Sequence, residues 1–118
     1  MASRIITMYA EKKYEFDEIR EGMKSEFYKK KLDVEFVGEI VRELGETKTM
    51  LLIFERYYLR TESYASLNVL ISEYKGYQSA DIISTGGKEL LFSWGAEENF
   101  AAWGEEVLKS LGFLTKVR

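Results

Sequence analysis

Apolar residues recur along the chain with two different periods, and these periods predict two kinds of element. Between residues 16 and 27 they lie three or four positions apart, which is the spacing of one face of an α-helix. This stripe comprises Phe16, Ile19, Met23 and Phe27. A second stripe with the same spacing comprises Phe100, Trp103, Val107 and Leu111. Gly112 follows it directly, as expected where a helix ends on a glycine cap.

Between the two helical stripes, apolar and polar residues alternate, which predicts half-buried β-strands. The strand segments are LDVEFVGEIVREL, TMLLIFERYYLR, YASLNVLISEY and YQSADIIS, and short stretches separate them. Loops of this length connect antiparallel neighbours. Residues 4–10 form a further extended segment before the first helix. We therefore predict a single α+β domain over residues 1–118: a five- or six-stranded, mostly antiparallel meander with two helices. The predicted order is β-α-β-β-β-β-α, with room for one more strand at residues 88–92.

The lengths of the loops fix a register for this sheet. We take a three-residue loop at residues 45–47, a four-residue loop at residues 60–63 and a two-residue loop at residues 75–76. The resulting pairs are Ile40 with Leu52, Phe54 with Val69, Leu52 with Ile71, Val69 with Ile82, and Ile71 with Ala80. All of these apolar residues then share one face, and a slip of one residue would destroy that agreement.

The same register places a second apolar set on the opposite face. Its members are Val37, Val41, Leu51, Ile53, Leu70, Ile83 and Leu90. If both helices cover the first face, this second set is exposed and is a candidate contact surface. That arrangement predicts a homodimer through the sheets, with space for a small, partly apolar ligand between them. If each helix covers one face, both sets are core instead. The sequence leaves the two arrangements open.

The composition excludes several chemistries. The 118 residues include no cysteine, histidine or proline. Without cysteine there is no disulfide, thiolate nucleophile or zinc–cysteine site. Without histidine, acid–base chemistry near neutrality would need a strongly shifted carboxylate, lysine or tyrosine. We therefore assign no catalytic residue, metal ligand or cofactor, and expect a non-enzymatic protein. An enzyme that uses a shifted Tyr58 or Asp81 remains the alternative.

The charge and hydropathy of the chain limit its partners. The net charge of −3 makes a nucleic-acid backbone an unsuitable partner. The basic cluster Lys29-Lys30-Lys31 is interpreted as a cationic helix end, which complements the helix dipole. No apolar run approaches the roughly 20 residues that span a bilayer. The N-terminal segment MASRIITMYA is too polar for a signal peptide. We therefore expect a cytoplasmic location without membrane contact.

Three further groups of residues are candidates for chemistry. The stretch ISTGGKELLF contains Gly86-Gly87-Lys88 but lacks the spacing and the Ser or Thr of a phosphate-binding loop. We interpret it as a hairpin turn that pairs Ile82 with Leu91 and Ile83 with Leu90. In FERYYLR, the side chains of Arg56, Tyr58 and Arg60 could bind an anion at the open end of the core. Glu55 and Asp81 share the second face, but without the spacing of a known metal loop.

The segments FERYYLR, SLNVLIS and IISTGG, followed by an aromatic-rich helix, resemble a family of short bacterial proteins known only as a domain of unknown function. The resemblance extends from about Leu32 to the C-terminus. It implies a fold but no mechanism. Our leading hypothesis is a small binding module that associates with itself through the sheet. The alternatives are a small enzyme, a binder of small anions at Arg56 and Tyr58, and a protein that adds a peptide strand at the sheet edge.

Overall fold

The computed structural model describes residues 3–30, 33–58, 62–86 and 96–115. These ranges contain six strands: β1 (Ser3–Ala10), β2 (Glu35–Leu44), β3 (Thr47–Tyr58), β4 (Ser63–Tyr74), β5 (Tyr77–Gly86) and β6 (Phe113–Leu114). The helices are α1 (Phe16–Lys29) and α2 (Ala96–Leu111). The elements confirm the predicted α+β class and the predicted order through α2. No helix in the described ranges is long and apolar enough to cross a membrane.

All six strands form one antiparallel sheet in the order β2-β3-β4-β5-β1-β6. Strands β2 to β5 make a meander, because each pairs with the next one along the chain. The N-terminal strand β1 then adds to the free side of β5, and the two residues of β6 pair with the end of β1. Strand β4 is therefore the middle strand of the five long ones.

Both helices pack on the same face of the sheet. The ring of Phe27 in α1 lies 5.1 Å from the ring of Phe54 in β3. Helix α2 approaches β4 and β5 at Gly104, where a β-carbon would lie 3.2 Å from Leu67 and 3.4 Å from Ile82. The core between the helices and the sheet includes Met8, Phe16, Ile19, Met23, Phe27, Met50, Leu52, Phe54, Leu67, Val69, Ile71, Ile82, Phe100, Val107, Leu108 and Phe113.

The ends of the helices follow from local chemistry. At the start of α1, the backbone N–H of Glu15 donates to the Glu18 carboxylate at 3.2 Å, which satisfies one orphan donor. At the end of α2, Gly112 takes a φ of +109°, and its N–H donates to the Lys109 carbonyl. The buried Phe113 follows, as the sequence predicts for a glycine cap. Gly22 permits α1 to approach α2, because a β-carbon at this position would lie 2.8 Å from the side chain of Leu111.

The β4–β5 hairpin confirms the predicted register. Val69 pairs with Ile82, and Ile71 pairs with Ala80. The turn consists of Lys75 and Gly76, with φ angles of 50° and 83°. Positive φ at both positions is the geometry of a type I′ turn, whose twist matches that of the strands it joins. Lysine is strained there because its β-carbon disfavours positive φ.

The predicted β3–β4 register is wrong by two residues, although each residue keeps its predicted face. Leu52 pairs with Val69, and Phe54 pairs with Leu67. The reason is the position of the loop: β3 extends to Tyr58 and β4 already starts at Ser63. The connection therefore covers residues 59–62 rather than 60–63. A shift of two residues preserves the side-chain alternation, so the core face remains apolar.

The β2–β3 register is wrong by one residue, and this error does change faces. The connection is a two-residue turn at Gly45 and Glu46, so Ile40 pairs with Leu51 instead of Leu52. A β-bulge between Phe36 and Gly38 then restores the core pair of Phe36 with Phe54. The extra residue of a bulge reverses the alternation on its two sides. A period-two pattern read without the bulge therefore assigns half of β2 to the wrong face.

The pairing predicted around the double glycine is also wrong. One edge of β5 pairs with β4 and the other pairs with β1, so Ile82 lies between Val69 and Ile6. Ile83 lies in the same way between Asn68 and Ile5. A strand has only two neighbours, so neither residue can pair with Leu91 or Leu90. Gly86 belongs to β5 and pairs with Ala65, while residues 87–95 lie outside the described ranges.

Candidate functional site

No element of the described ranges packs on the face of the sheet opposite the helices, which we term the outer face. Its side chains alternate with the core positions of the five long strands. The outer face comprises Ile5, Thr7, Tyr9, Glu35, Ile40, Arg42, Leu44, Thr47, Thr49, Leu51, Ile53, Glu55, Tyr57, Tyr64, Ser66, Asn68, Leu70, Ser72, Tyr74, Tyr77, Ser79, Asp81, Ile83 and Thr85. This arrangement resolves the alternative that the sequence left open, because both helices cover the first face.

Two adjacent rows across the middle of the outer face are largely apolar. The first row runs across the strands through Ile5, Ile83, Asn68 and Ile53. The second row runs through Thr7, Asp81, Leu70, Leu51 and Ile40. Ile5 and Ile40 are exposed, with 68% and 44% of their surface open to solvent. Six apolar side chains and the amide of Asn68 thus form a continuous apolar centre, which Thr7 and Asp81 bound on one side.

Hydroxyl side chains flank this apolar centre. The hydroxyl groups of Ser66 and Thr85 lie 2.7 Å apart and form a hydrogen bond across the β4–β5 pair. The Thr7 hydroxyl donates to the Asp81 carboxylate at 2.7 Å. The amide nitrogen of Asn68 donates to the Ser66 hydroxyl over a long 3.5 Å. Much of the polarity of the face is therefore satisfied within the face.

Tyrosine pairs lie at both ends of the outer face. At one end, the rings of Tyr57 and Tyr64 contact each other with centroids 5.0 Å apart. At the other end, Tyr74 and Tyr77 flank the β4–β5 turn, and Tyr77 is 81% exposed. Tyrosine combines a large apolar ring with a polar tip, and it is enriched where a surface is apolar yet meets water.

The structure brings together four of the seven residues predicted for the contact surface, of which Leu90 lies outside the described ranges. Leu51, Ile53, Leu70 and Ile83 all lie on the outer face. Val41 does not, because it pairs with the buried Met50 on the helix side. Val37 is the extra residue at the bulge.

Ile40 belongs to the outer face, although the sequence pattern placed it in the core. Gly38 was the one signal for this reversal, because a glycine inside a strand often marks a bulge.

The residues predicted for an anion site are only partly described. Arg56 lies on the helix side of β3, and its guanidinium carbon is 4.4 Å from the centre of the Trp103 ring in α2. Stacking of this kind is a favourable cation–π contact. The backbone of Tyr58 pairs with Ser63, and Arg60 lies outside the described ranges. The anion site at this end of the core therefore remains a prediction.

A groove lies near the C-terminal end of α1, beside the start of β2. Its volume is about 690 Å³, and it is lined by Lys24, Phe27, Tyr28, Lys29, Asp33, Val34, Phe36 and Phe54. The Lys24 ammonium lies 4.8 Å from the centre of the Phe36 ring. This volume falls within the range of small-molecule sites, about 300–1,000 Å³. Lys29, which the sequence pattern assigned to a cationic helix end, thus also lines this groove.

The two candidate carboxylates lie in different rows of the outer face. Both lie on this face, as predicted, with Asp81 opposite Leu70 and Glu55 opposite Ser66. Among the described residues, no group of three or more acidic side chains is arranged to hold a metal ion. The geometry of this pair therefore offers no converged centre for acid–base chemistry.

A comparison with family models gives one match. Residues 1–112 match the family of unknown function DUF6054. The chain belongs to this family. The DUF6054 match confirms the resemblance to a family of unknown function and adds β1 and α1 to the part of the chain that it covers. No curated protein and no solved structure matches the chain. The chemistry of this DUF6054 protein must therefore be argued from its own surface.

Proposed function

We propose that this DUF6054 protein is a non-enzymatic interaction module that forms a homodimer through the outer face of its sheet. The observation that carries the proposal is the apolar centre of this face. A sheet that packs against another sheet needs one apolar face of this kind, about 10 Å from the facing backbone. The hydroxyl side chains and the tyrosine pairs around the centre correspond to the polar rim that is typical of interfaces.

The size of the outer face supports a second copy as its occupant. Five strands about 4.8 Å apart and about 30 Å long present roughly 700 Å². Stable interfaces bury about 600–1,000 Å² on each partner, and weaker ones bury less. The outer face alone is therefore large enough for a dimer.

The charge of the outer face also suits contact with a copy of itself. Its charged side chains within the described residues are Glu35, Arg42, Glu55 and Asp81. Glu35, Arg42 and Glu55 lie in the rows outside the apolar centre, where water can still reach them. Asp81 borders the centre, and the hydrogen bond from Thr7 reduces the cost of covering its carboxylate. None of the four charges lies within the apolar centre, so water screens most of the repulsion between the acidic side chains of two such faces.

The test is the molecular mass in solution, measured by sedimentation equilibrium from about 1 to 100 µM, a range that detects micromolar dimers. We expect twice the 13.8 kDa of the single chain at the upper end. Ile53→Asp should give a monomer with unchanged secondary structure, because it places a carboxylate in the apolar centre. The matched control is Tyr28→Asp on the helix side, where the side chain is already 85% exposed. A wild-type mass of one chain throughout would refute the proposal.

The groove beside α1 favours a second function, the binding of a small, partly apolar anion. Its buried floor is formed by Phe27 and Phe54, and Lys24 stands at its wall. A flat aromatic carboxylate could stack on the rings while its charge meets the ammonium group. The groove lining contains neither Arg56 nor Tyr58 among the described residues.

A thermal-shift titration with 2-naphthoate tests this second function. The wild type should gain stability, Lys24→Gln should lose most of the gain, and Lys75→Gln, in the β4–β5 turn, should keep it. The neutral analogue 2-naphthalenemethanol should be much weaker. Equal shifts for both compounds, or for both lysine variants, would remove the anion site.

A further inference from the structure

One amide interrupts the apolar centre of the outer face at its geometric middle. Asn68 lies on β4, the central one of the five long strands. Ile53 and Ile83 are its neighbours across the strands, and Leu70 follows it on the same face. The amide has one long hydrogen bond, of 3.5 Å, to Ser66. A position surrounded by three branched aliphatic residues is where packing alone would favour another apolar side chain.

A dimer through the outer face would take this amide away from water. An amide buried without hydrogen-bond partners destabilises the complex, so it must find a donor and an acceptor in the facing molecule. A second primary amide supplies both, because each can donate an N–H to the oxygen of the other. Only Asn68 of the partner subunit offers such a group at the middle of the facing surface.

The symmetry of a homodimer determines whether that pairing can occur. A two-fold axis that runs along β4 lays each row on itself, so that Asn68 meets Asn68 of the partner subunit. Strand β3 then lies over β5 of the partner, and Ile53 meets Ile83 of the partner subunit. An axis that crosses the strands between the two central rows would instead place Asn68 on Leu70 of the partner subunit.

Leu70 favours the axis along β4, because this axis lays Leu70 on Leu70 of the partner subunit. An axis that crosses the strands at Asn68 itself would also pair the two amides, but it would lay the apolar Leu70 on Ser66 of the partner subunit. In both of these arrangements Leu51 meets a carboxylate of the partner subunit, so the charged side chains do not decide between them. The axis between the two central rows is disfavoured by the amide, which it would lay on Leu70 of the partner subunit.

We propose that Asn68 fixes the alignment of the homodimer by pairing with Asn68 of the partner subunit across a two-fold axis that runs along β4. This inference rests on the proposed function, since it presupposes a dimer through the outer face. A single buried polar residue has the same role in coiled coils, where it selects register at some cost in affinity.

Mixing of oppositely charged variants tests the alignment. Asn68→Asp and Asn68→Lys should each raise the dimer dissociation constant by about 100-fold or more, because two like charges would meet at the axis. An equimolar mixture should form a heterodimer, identified by native mass spectrometry, with an affinity within about 10-fold of the wild type. The absence of cysteine allows the same chains to be labelled at single introduced thiols for a fluorescence measurement of exchange.

A second pair of variants keeps the test independent of position 68. Ile53→Asp mixed with Ile83→Lys should recover a heterodimer, since these positions face each other. Ile53→Asp mixed with Ile53→Lys should not, since each charge would meet Ile83 of the partner subunit. Circular dichroism of each variant at low concentration controls for folding.

The outcomes separate this inference from the proposed function. A monomeric wild type overturns both. A dimeric wild type whose Asn68→Asp and Asn68→Lys variants fail to recover on mixing overturns the alignment alone. Recovery of the Ile53→Asp and Ile53→Lys mixture would also overturn it, because that result requires Ile53 to face its own copy.

Discussion

The side chain of Gln78 anchors the connection between β1 and α1, and its removal gives a quantitative test of the structure. Gln78 is only 5% exposed. Its oxygen accepts the backbone N–H of Tyr14 at 2.9 Å, and its amide nitrogen donates to the Tyr14 carbonyl at 2.6 Å. The same nitrogen donates to the Glu73 carboxylate at 2.8 Å. The side chain thus pairs with Tyr14 in the way that a strand backbone would.

We expect Gln78→Met to lower the free energy of unfolding by about 3 kcal/mol. Methionine has a similar length and packs well, so the change removes hydrogen bonds and little volume. Two neutral hydrogen bonds contribute about 1 kcal/mol each, and the one to an ionised carboxylate contributes about 1.5 kcal/mol. For a domain of this size, about 3 kcal/mol corresponds to a fall in Tm of roughly 12 °C.

Thermal unfolding followed by circular dichroism measures this effect, with Ser25→Ala on the exposed side of α1 as the control. The control should change the free energy by less than about 0.5 kcal/mol. A Gln78→Met variant that melts within about 3 °C of the wild type, or no lower than the control, would refute the reasoning. That result would mean that Tyr14 regains its hydrogen bonds from water at no cost.

The variant Gln78→Glu adds a pH dependence with a definite sign. Its carboxylate would face the Tyr14 carbonyl and the Glu73 carboxylate, whose ion pair with Lys13 has a length of 3.4 Å. Repulsion raises the folded-state pKa of the new group above its unfolded value of about 4.3. The protonated group therefore contributes its full stability below the unfolded-state pKa of about 4.3. This contribution to the free energy of unfolding is lost as the pH rises through the raised folded-state pKa. A variant whose stability difference from the wild type is the same at pH 4 and pH 8 would contradict this, since those values lie about on either side of the titration.

Three further substitutions test the backbone and the packing. Gly112→Ala should destabilise the protein by about 2–4 kcal/mol in urea unfolding, because φ is +109° and a β-carbon would overlap the Tyr14 side chain. Lys75→Asn should stabilise it by roughly 0.5–1 kcal/mol, since asparagine tolerates the φ of 50° in the β4–β5 turn. Gly104→Val should destabilise it by about 2 kcal/mol, because α2 packs too closely on Leu67 for a larger side chain. An unchanged urea midpoint in any of the three would contradict the local geometry described for it.

Periodicity predicted the elements well because each helix and each central strand has one buried face. The stripe from Phe16 to Phe27 is buried throughout, as is the alternating set of β4 and β5. The register was predicted correctly only for the β4–β5 hairpin, where Lys75-Gly76 marks the position of the two-residue turn. The β3–β4 connection carries no such pair, and several loop positions satisfy the same alternation. A pattern with period two is insensitive to a shift of two residues.

The site could be predicted only as far as the alternation of its strands was regular. Leu51 and Ile53 were assigned correctly because β3 pairs without interruption with β4. Ile40 and Val41 were exchanged because the bulge before Gly38 adds one residue to β2. Which face the helices cover could not be derived either. It depends on contacts between distant segments, such as that of Gly104 with Leu67, which leave no local signal in the sequence.

The structure of β2 makes addition of a strand at its free edge less favourable than contact through the outer face. Strand β2 contains a bulge and carries the acidic side chains of Glu39 and Glu43. Bulges and charged side chains are the devices by which natural sheets block pairing at an edge. Arg20 of α1 reaches over to Glu39 at 3.2 Å, and hydrogen bonds to Glu21 and Glu39 raise the pKa of Arg20 well above its usual range.

The outer face has no comparable obstruction at its centre, where Leu51, Ile53 and Leu70 stand side by side. Association should therefore respond strongly to Ile53→Asp and little to Glu39→Gln, and a larger effect of Glu39→Gln on the measured mass would point to the edge instead.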